Sequence, residues 1–143
     1  MNKMIHHYSI NEFSRKFCFN RYRRELFSLF CEEMQNILRQ SSQLRILVFG
    51  SFITKKERPS DIDVLISIIP NRESSYRMLK KGLARIHKKR IDVQYSRHQM
   101  ILESCESLIN TFNTNKLNKE KKISIDQAVE VVMGEKCPED ADG

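Results

Sequence analysis

The chain has no Cys-x-x-Cys pair; its four cysteines (Cys18, Cys31, Cys105, Cys137) are scattered through 143 residues. Its four histidines (His6, His7, His87, His98) do not join them in any regular spacing, so the sequence offers no zinc-ligand pattern. Free, reduced thiols in an intracellular protein are expected. Long apolar runs are missing as well. The longest, Ile46–Phe49 and Val64–Ile69 with Ser67 inside it, fall short of the ~20 residues a membrane span requires. The N-terminal MNKMIHHYSINE has no apolar stretch of signal-peptide length. A soluble, cytoplasmic protein with no membrane partner is the expectation. Internal repeats and long low-complexity segments are absent, and the chain is too short for a large nucleotide-binding lobe beside a large substrate lobe. One domain is expected.

What is present reads as globular. Hydrophobic residues make up 40% and charged residues 30%, enough to build a core without disulfides. Lys+Arg number 25 against 18 Asp+Glu, a formal +7, which favours a polyanionic partner such as nucleic acid or nucleotide and says nothing of fold.

Ser9 and Glu12 form a capping box, with Tyr8 and Phe13 as the accompanying hydrophobic staple, so a helix should begin there. Asn20 ends that helix or caps the next. From Tyr22, the residues Leu26, Phe27, Phe30, Met34, Ile37 and Leu38 recur at helical spacing to about Gln40, and Ser41-Ser42-Gln43 closes the helix. Leu44–Phe49 then reads as a buried strand ending at Gly50-Ser51. A basic loop covers Phe52–Ser60, and a second strand covers Asp61–Ile69, stopping at Pro70-Asn71. Tyr76, Leu79, Leu83 and Ile86 mark one face of a helix, Arg90–Tyr95 a third strand, and Gln99–Phe112 another helix. Residues 113–122 look like a linker. Ser124 and Gln127 predict a short helix through Met133, with Gly134 as its stop and an acidic, frayed CPEDADG tail. The expected class is α+β, a small mixed sheet with flanking helices. Residues 1–112 should form the main domain, leaving 113–143 for linker, short helix and tail.

The chemistry concentrates on carboxylates. Side chains alternate along a strand, so Asp61 and Asp63 project to one side while Ile62 and Val64 face the core. Two adjacent carboxylates suit a hard divalent cation, and Mg²⁺ in particular takes one or two carboxylates plus substrate phosphates. Gly50 lets a phosphate approach the backbone, and the Ser51 hydroxyl adds a donor. Asp92, between Ile91 and Val93, lies opposite those apolar neighbours. On an adjacent strand it can join Asp61 and Asp63 around a two-metal centre. Taken singly, a Gly-Ser is an ordinary turn and an Asp-x-Asp an ordinary solvated strand edge.

Together, GSFITKKERPSDIDVLI followed by IDVQ resembles the nucleotidyltransferases of the DNA polymerase beta superfamily. The shared pattern is an apolar strand, Gly-Ser, a loop, an Asp-x-Asp strand and a third Asp on a later strand. It covers residues 44–95. The compact size resembles the minimal nucleotidyltransferases that often occur as halves of toxin–antitoxin pairs. The resemblance implies the polymerase-beta-like fold and transfer of an NMP from an NTP to a hydroxyl. It also implies triphosphate binding at Gly50 and Ser51, a Mg²⁺ site at Asp61 and Asp63, and Asp92 completing that site and activating the acceptor. The acceptor could be a protein Tyr or Ser, a tRNA 3′ end or a small molecule. Families of this kind acting on antibiotics usually carry a substantial second helical domain, for which the residues after Tyr95 leave little room, so a macromolecular acceptor is favoured. The alternative is a non-catalytic module of the same fold that binds RNA or a cognate helical toxin protein.

Lys55, Lys56 and Arg58 lie between the Gly-Ser turn and the acids, where they could contact the triphosphate or simply face solvent. Between Arg72 and Arg97 nine basic residues meet only Glu73 and Asp92, a local excess matching that of the whole chain. Of these, Arg77, Lys80, Lys81, Arg85, Lys88 and Lys89 are candidates for nucleic-acid contact; a solvated helix face is the ordinary reading. Phe13, Phe17, Phe19, Phe27 and Phe30 are expected in the core, with apolar surface to spare for a partner or a homo-oligomer.

Overall fold

The computed structural model describes residues 5–72, 90–97, 102–115 and 122–133. Its elements, in chain order, are β1 (His6–Ser9), α1 (Ile10–Phe17), α2 (Arg21–Arg39), β2 (Ser41–Phe49), a short 3-10 helix (Gly50–Ile53), β3 (Ile62–Pro70), β4 (Ile91–Arg97), α3 (Cys105–Thr114), a second 3-10 helix (Ile125–Gln127) and β5 (Ala128–Val132). The five strands form one sheet in the order β1-β5-β2-β3-β4. β1 runs parallel to β5, β2 runs antiparallel to both β5 and β3, and β4 runs parallel to β3. This is the mixed α+β sheet the sequence predicts.

Helix starts follow the local chemistry. Glu12 N–H donates to Ser9 Oγ and Ser9 N–H donates to Glu12 Oε1, closing the capping box. Those hydrogen bonds from Ser9 hold the Glu12 carboxyl below its ordinary pKa. Tyr8 and Phe13 meet with ring centroids 6.4 Å apart. Asn20 caps α2 by accepting from Arg23 N–H at 2.8 Å. Ser41 ends α2 by donating its hydroxyl to the Ile37 carbonyl, while its backbone already pairs with Pro70, so β2 starts three residues before Leu44.

The sheet is covered on both faces. Ile46, Val48, Ile62, Val64, Ile66, Val129 and Val131 pack under α1 and α2, where Phe13, Phe27, Phe30 and Phe52 are buried together. Phe13 lies 5.1 Å from Phe27 and 6.0 Å from Phe52, centroid to centroid. On the other face Leu47, Phe49, Leu65 and Ala128 meet Cys105, Leu108, Ile109 and Phe112 of α3. The polar residues of that face pair rather than stand alone. Glu130 accepts from Arg45 Nε at 2.8 Å and contacts His7 Nδ1, and Arg45 also donates to the Glu103 carbonyl.

Three expectations change. The capping residues Ser124 and Gln127 do bond, but they hold only a single 3-10 turn. The segment read as a C-terminal helix is strand β5, because Ala128-Val-Glu-Val-Val alternates between the two packed faces and carries three β-branched residues suited to a pleat. It lies between β1 and β2 in the sheet. Helix α3 starts at Cys105, where Ser104 Oγ accepts from Ser107 N–H and fixes the first turn; Gln99, the expected start, lies outside the described residues. β1, only four residues long, was not anticipated. The helix expected around Tyr76–Ile86, Gly134 and the acidic tail lie outside the described residues. Among the described residues, no helix is long and apolar enough to cross a membrane.

Candidate metal centre

β3 and β4 pair in parallel with Asp63 opposite Asp92, and neighbouring strands lie only about 4.8 Å apart. Asp61 precedes β3 by one residue. One carboxylate oxygen from each of Asp61, Asp63 and Asp92 can lie within 4.8 Å of the others, and all three residues are half-buried. The backbone entry to this corner is fixed by Ile62 N–H, which donates to the Arg90 carbonyl at 3.0 Å. Such a cluster of hard oxygens could hold a metal ion.

The Gly-Ser turn abuts it. Gly50 has φ +78°, a conformation that side chains rarely adopt, and a Cβ there would collide with the Asp63 carboxylate. Both conditions demand glycine. Gly50, Ile53 and Thr54, together with Lys122, Ile123, Asp126 and Gln127, line a cavity of about 410 Å³. The last four residues come from the segment leading into β5, which Asn113 tethers to α3. Its side chain donates to the Ile123 carbonyl at 2.7 Å and accepts from Ile123 N–H at 2.9 Å.

The chain's own arginine secures the loop between turn and acids. Arg23 is fully buried, and its guanidinium donates to five backbone carbonyls: Lys56 from Nε, Phe17 and Phe52 from Nη1, Ser51 and Thr54 from Nη2. A guanidinium has five N–H donors, so each has an acceptor. Burial lowers the Arg23 pKa from its ordinary value, yet a guanidinium stays charged in proteins. The same helix end reaches further along the loop. Asn20 Nδ2 donates to the Glu57 carbonyl and Tyr22 OH to the Pro59 carbonyl. Arg90 adopts φ +67°, donates from Nε to the Ser60 carbonyl and lies 4.9 Å over the Tyr22 ring.

Of the candidate phosphate-binding residues, Gly50 and Ser51 sit in the turn against Asp63. Lys55 and Lys56 are exposed, and Arg58 lies 5.4 Å over the Tyr22 ring. The structure therefore brings Gly50 to the acids and folds Arg58 back on α2. Arg77, Lys80, Lys81, Arg85, Lys88 and Lys89 lie outside the described residues.

Sequence reasoning missed Arg23 and Lys122, and took Arg90 only as a member of the basic cluster and a possible partner for Asp92. For Arg23 a signal existed, since it falls three and four residues before Leu26 and Phe27, on the buried stripe of α2. A charge on such a stripe needs partners, and the loop carbonyls supply them. Nothing in the local sequence marks the left-handed backbone of Arg90 or the approach of Lys122 to the Gly50 turn.

Residues 1–126 match the family described as "Family of unknown function (DUF6932)". The chain belongs to this family. No curated protein matches it. Within this DUF6932 chain the match takes in every part of the acidic corner, from the α2 anchors through Gly50 to Asp92.

Proposed function

We propose that this protein is a metal-dependent nucleotidyltransferase with a polymerase-beta-like fold, moving a nucleoside monophosphate from an NTP to a hydroxyl of a macromolecular acceptor. The observation that carries the reading is the convergence of Asp61, Asp63 and Asp92 beside a glycine turn whose backbone is pressed against one of them. Two of the acids pair across neighbouring parallel strands of a mixed sheet, which supports the reading.

The residues fit Mg²⁺ in donor type, since all three offer hard oxygens. Bound there, one or two ions would neutralise triphosphate charge and stabilise the attacking and leaving oxygens. The remaining roles belong to the chain. Gly50 lets the turn close against the Asp63 carboxylate, Ser51 adds a hydroxyl donor for a phosphate, and the Arg23 bonds keep the turn from moving away. The acceptor oxygen forms a bond to the α-phosphorus as the bond from that phosphorus to the bridging oxygen breaks. Pyrophosphate leaves with the bond electrons, and the Asp92 carboxylate takes the hydroxyl proton.

Incubation of the purified protein with each α-labelled NTP, Mg²⁺ and cell lysate tests the reading. A labelled macromolecule is expected, and it should vanish with Asp61→Ala/Asp63→Ala. If no acceptor is labelled, or the double variant labels as well as the parent, the reading fails and a binding module remains.

A further inference from the structure

A second cavity, also of about 410 Å³, shares Ile53 and Thr54 with the one beside Gly50. Its other lining residues are Lys16, Phe17, Phe19 and Lys55. Among the described residues, no carboxylate lines it. Phe19 is 48% exposed, unlike Phe13, Phe17, Phe27 and Phe30, which are all buried. The exposed ring is also braced. The Arg23 guanidinium lies 4.3 Å over it, and that guanidinium is itself fixed by its five carbonyl bonds. Lys16 is held as well, its ammonium donating to Tyr8 OH at 3.0 Å and lying 5.7 Å over the Phe17 ring.

We infer that this cavity binds an unpaired base of a single-stranded nucleic acid, with Phe19 as the stacking platform and Lys16 and Lys55 as the phosphate contacts. A pre-positioned aromatic face flanked by cations is how proteins hold single strands without reading sequence. The alternatives fit less well. An apolar peptide would cover two ammonium groups without compensation, and a duplex keeps its base faces stacked out of reach. The location matters too. Ile53 follows Gly50 by three residues of 3-10 helix, roughly 6 Å at about 2 Å per residue, and Gly50 touches Asp63. If the nucleotidyltransferase reading holds, on which this last step rests, the seated strand is the acceptor.

The test is fluorescence anisotropy of the full chain with an end-labelled 12-nucleotide single-stranded RNA and with the same RNA in a duplex, in EDTA. The single strand should bind and the duplex should bind less tightly. Phe19→Ala should weaken single-strand binding roughly 5- to 150-fold, the range expected of one lost base stack, and Phe19→Trp should restore it. Because Phe19 is half-exposed, circular dichroism of Phe19→Ala should match the parent. Lys55→Ala should make the log–log salt dependence shallower by about 0.7, one phosphate contact on a single strand. Absence of single-strand binding, equal binding by the parent and Phe19→Ala, or a duplex bound as tightly as the single strand overturns the site. Running the titrations also on Asp63→Asn separates the two proposals. Phe19-dependent binding without NTP labelling removes only the enzyme, and labelling without Phe19-dependent binding removes only this site.

Discussion

Asp63 and Asp92 are lateral neighbours across the parallel β3–β4 pair, so the sheet itself holds their carboxylates together. The ligand oxygens lie within 4.8 Å of one another, and at that distance two full charges would repel by about 1 kcal/mol in water and by about 3.5 kcal/mol at an effective dielectric constant of 20. Strand register keeps the two backbones side by side, so only side-chain rotation can separate the carboxylates. A divalent cation bound there would turn that repulsion into shared attraction, which would link metal binding to folding.

Metal should therefore raise the melting temperature. At a Mg²⁺ or Mn²⁺ concentration about 100 times the Kd, a single site adds roughly 2.7 kcal/mol, on the order of 10 °C for a chain of this size. Differential scanning fluorimetry with and without EDTA measures it. Asp63→Asn and Asp92→Asn should each abolish most of the rise, and a rise that survives both substitutions would place the metal elsewhere.

Gly50→Ala tests the coupling between turn and acids. The new methyl meets the Asp63 carboxylate and must accept a left-handed backbone, for a combined cost of about 1–3 kcal/mol. Urea unfolding should show that loss. The metal-induced stabilisation should also shrink, because Asp63 has to shift. A variant that loses stability but keeps the full metal response would show that the turn and the metal centre are independent.

The acidic corner was legible because it depends on local rules: strand alternation places Asp61 and Asp63, and apolar flanks orient Asp92. The helix starts at Ser9 and Asn20 were legible for the same reason, since a cap is chemistry between residues three apart. β5 was not. Its capping residues and its alternating valines point to different structures, and only the vacancy between β1 and β2, separated by some 30 residues of chain, decides in favour of the strand. Arg23 stood on the buried stripe of α2, but its partners were hidden for a related reason. Its acceptors lie mostly 28–33 residues away, in the Gly50–Ile53 3-10 turn and the irregular loop that follows it.

Burial pushes the Cys18 thiol up to about 12 and the Cys105 thiol to about 11, from an ordinary value of 9.0. A raised pKa means that the fold holds these thiols neutral while the unfolded chain ionises them. Their contribution is intact below pH 9 and is lost as pH rises through 11 and then 12. The urea midpoint should fall across that window, and Cys18→Ala/Cys105→Ala should flatten the fall relative to the parent. Below pH 9 both thiols should react slowly with a disulfide reagent until the protein unfolds. Rapid native-state modification of either would contradict their burial.

Arg23 is where stability and site geometry meet. Removing its side chain strands several carbonyls of the loop over 51–56, and unpaired buried polar groups cost about 1–3 kcal/mol each before any relaxation or water entry. Arg23→Met, which keeps most of the apolar volume, should still lower stability by at least about 3 kcal/mol, read as a shift in the urea midpoint. Arg23→Lys should recover only part of this, because an ammonium offers three donors on a point charge where the fork offers five in a plane. The site supplies the second readout. Ser51 and Thr54 lose their anchor to α2 in either variant, so at a temperature where Arg23→Lys is still folded, the apparent metal affinity should fall even though no carboxylate has been touched. If Arg23→Lys folds and binds metal as tightly as the parent, the guanidinium only packs the core, and the turn holds its place against Asp63 without it.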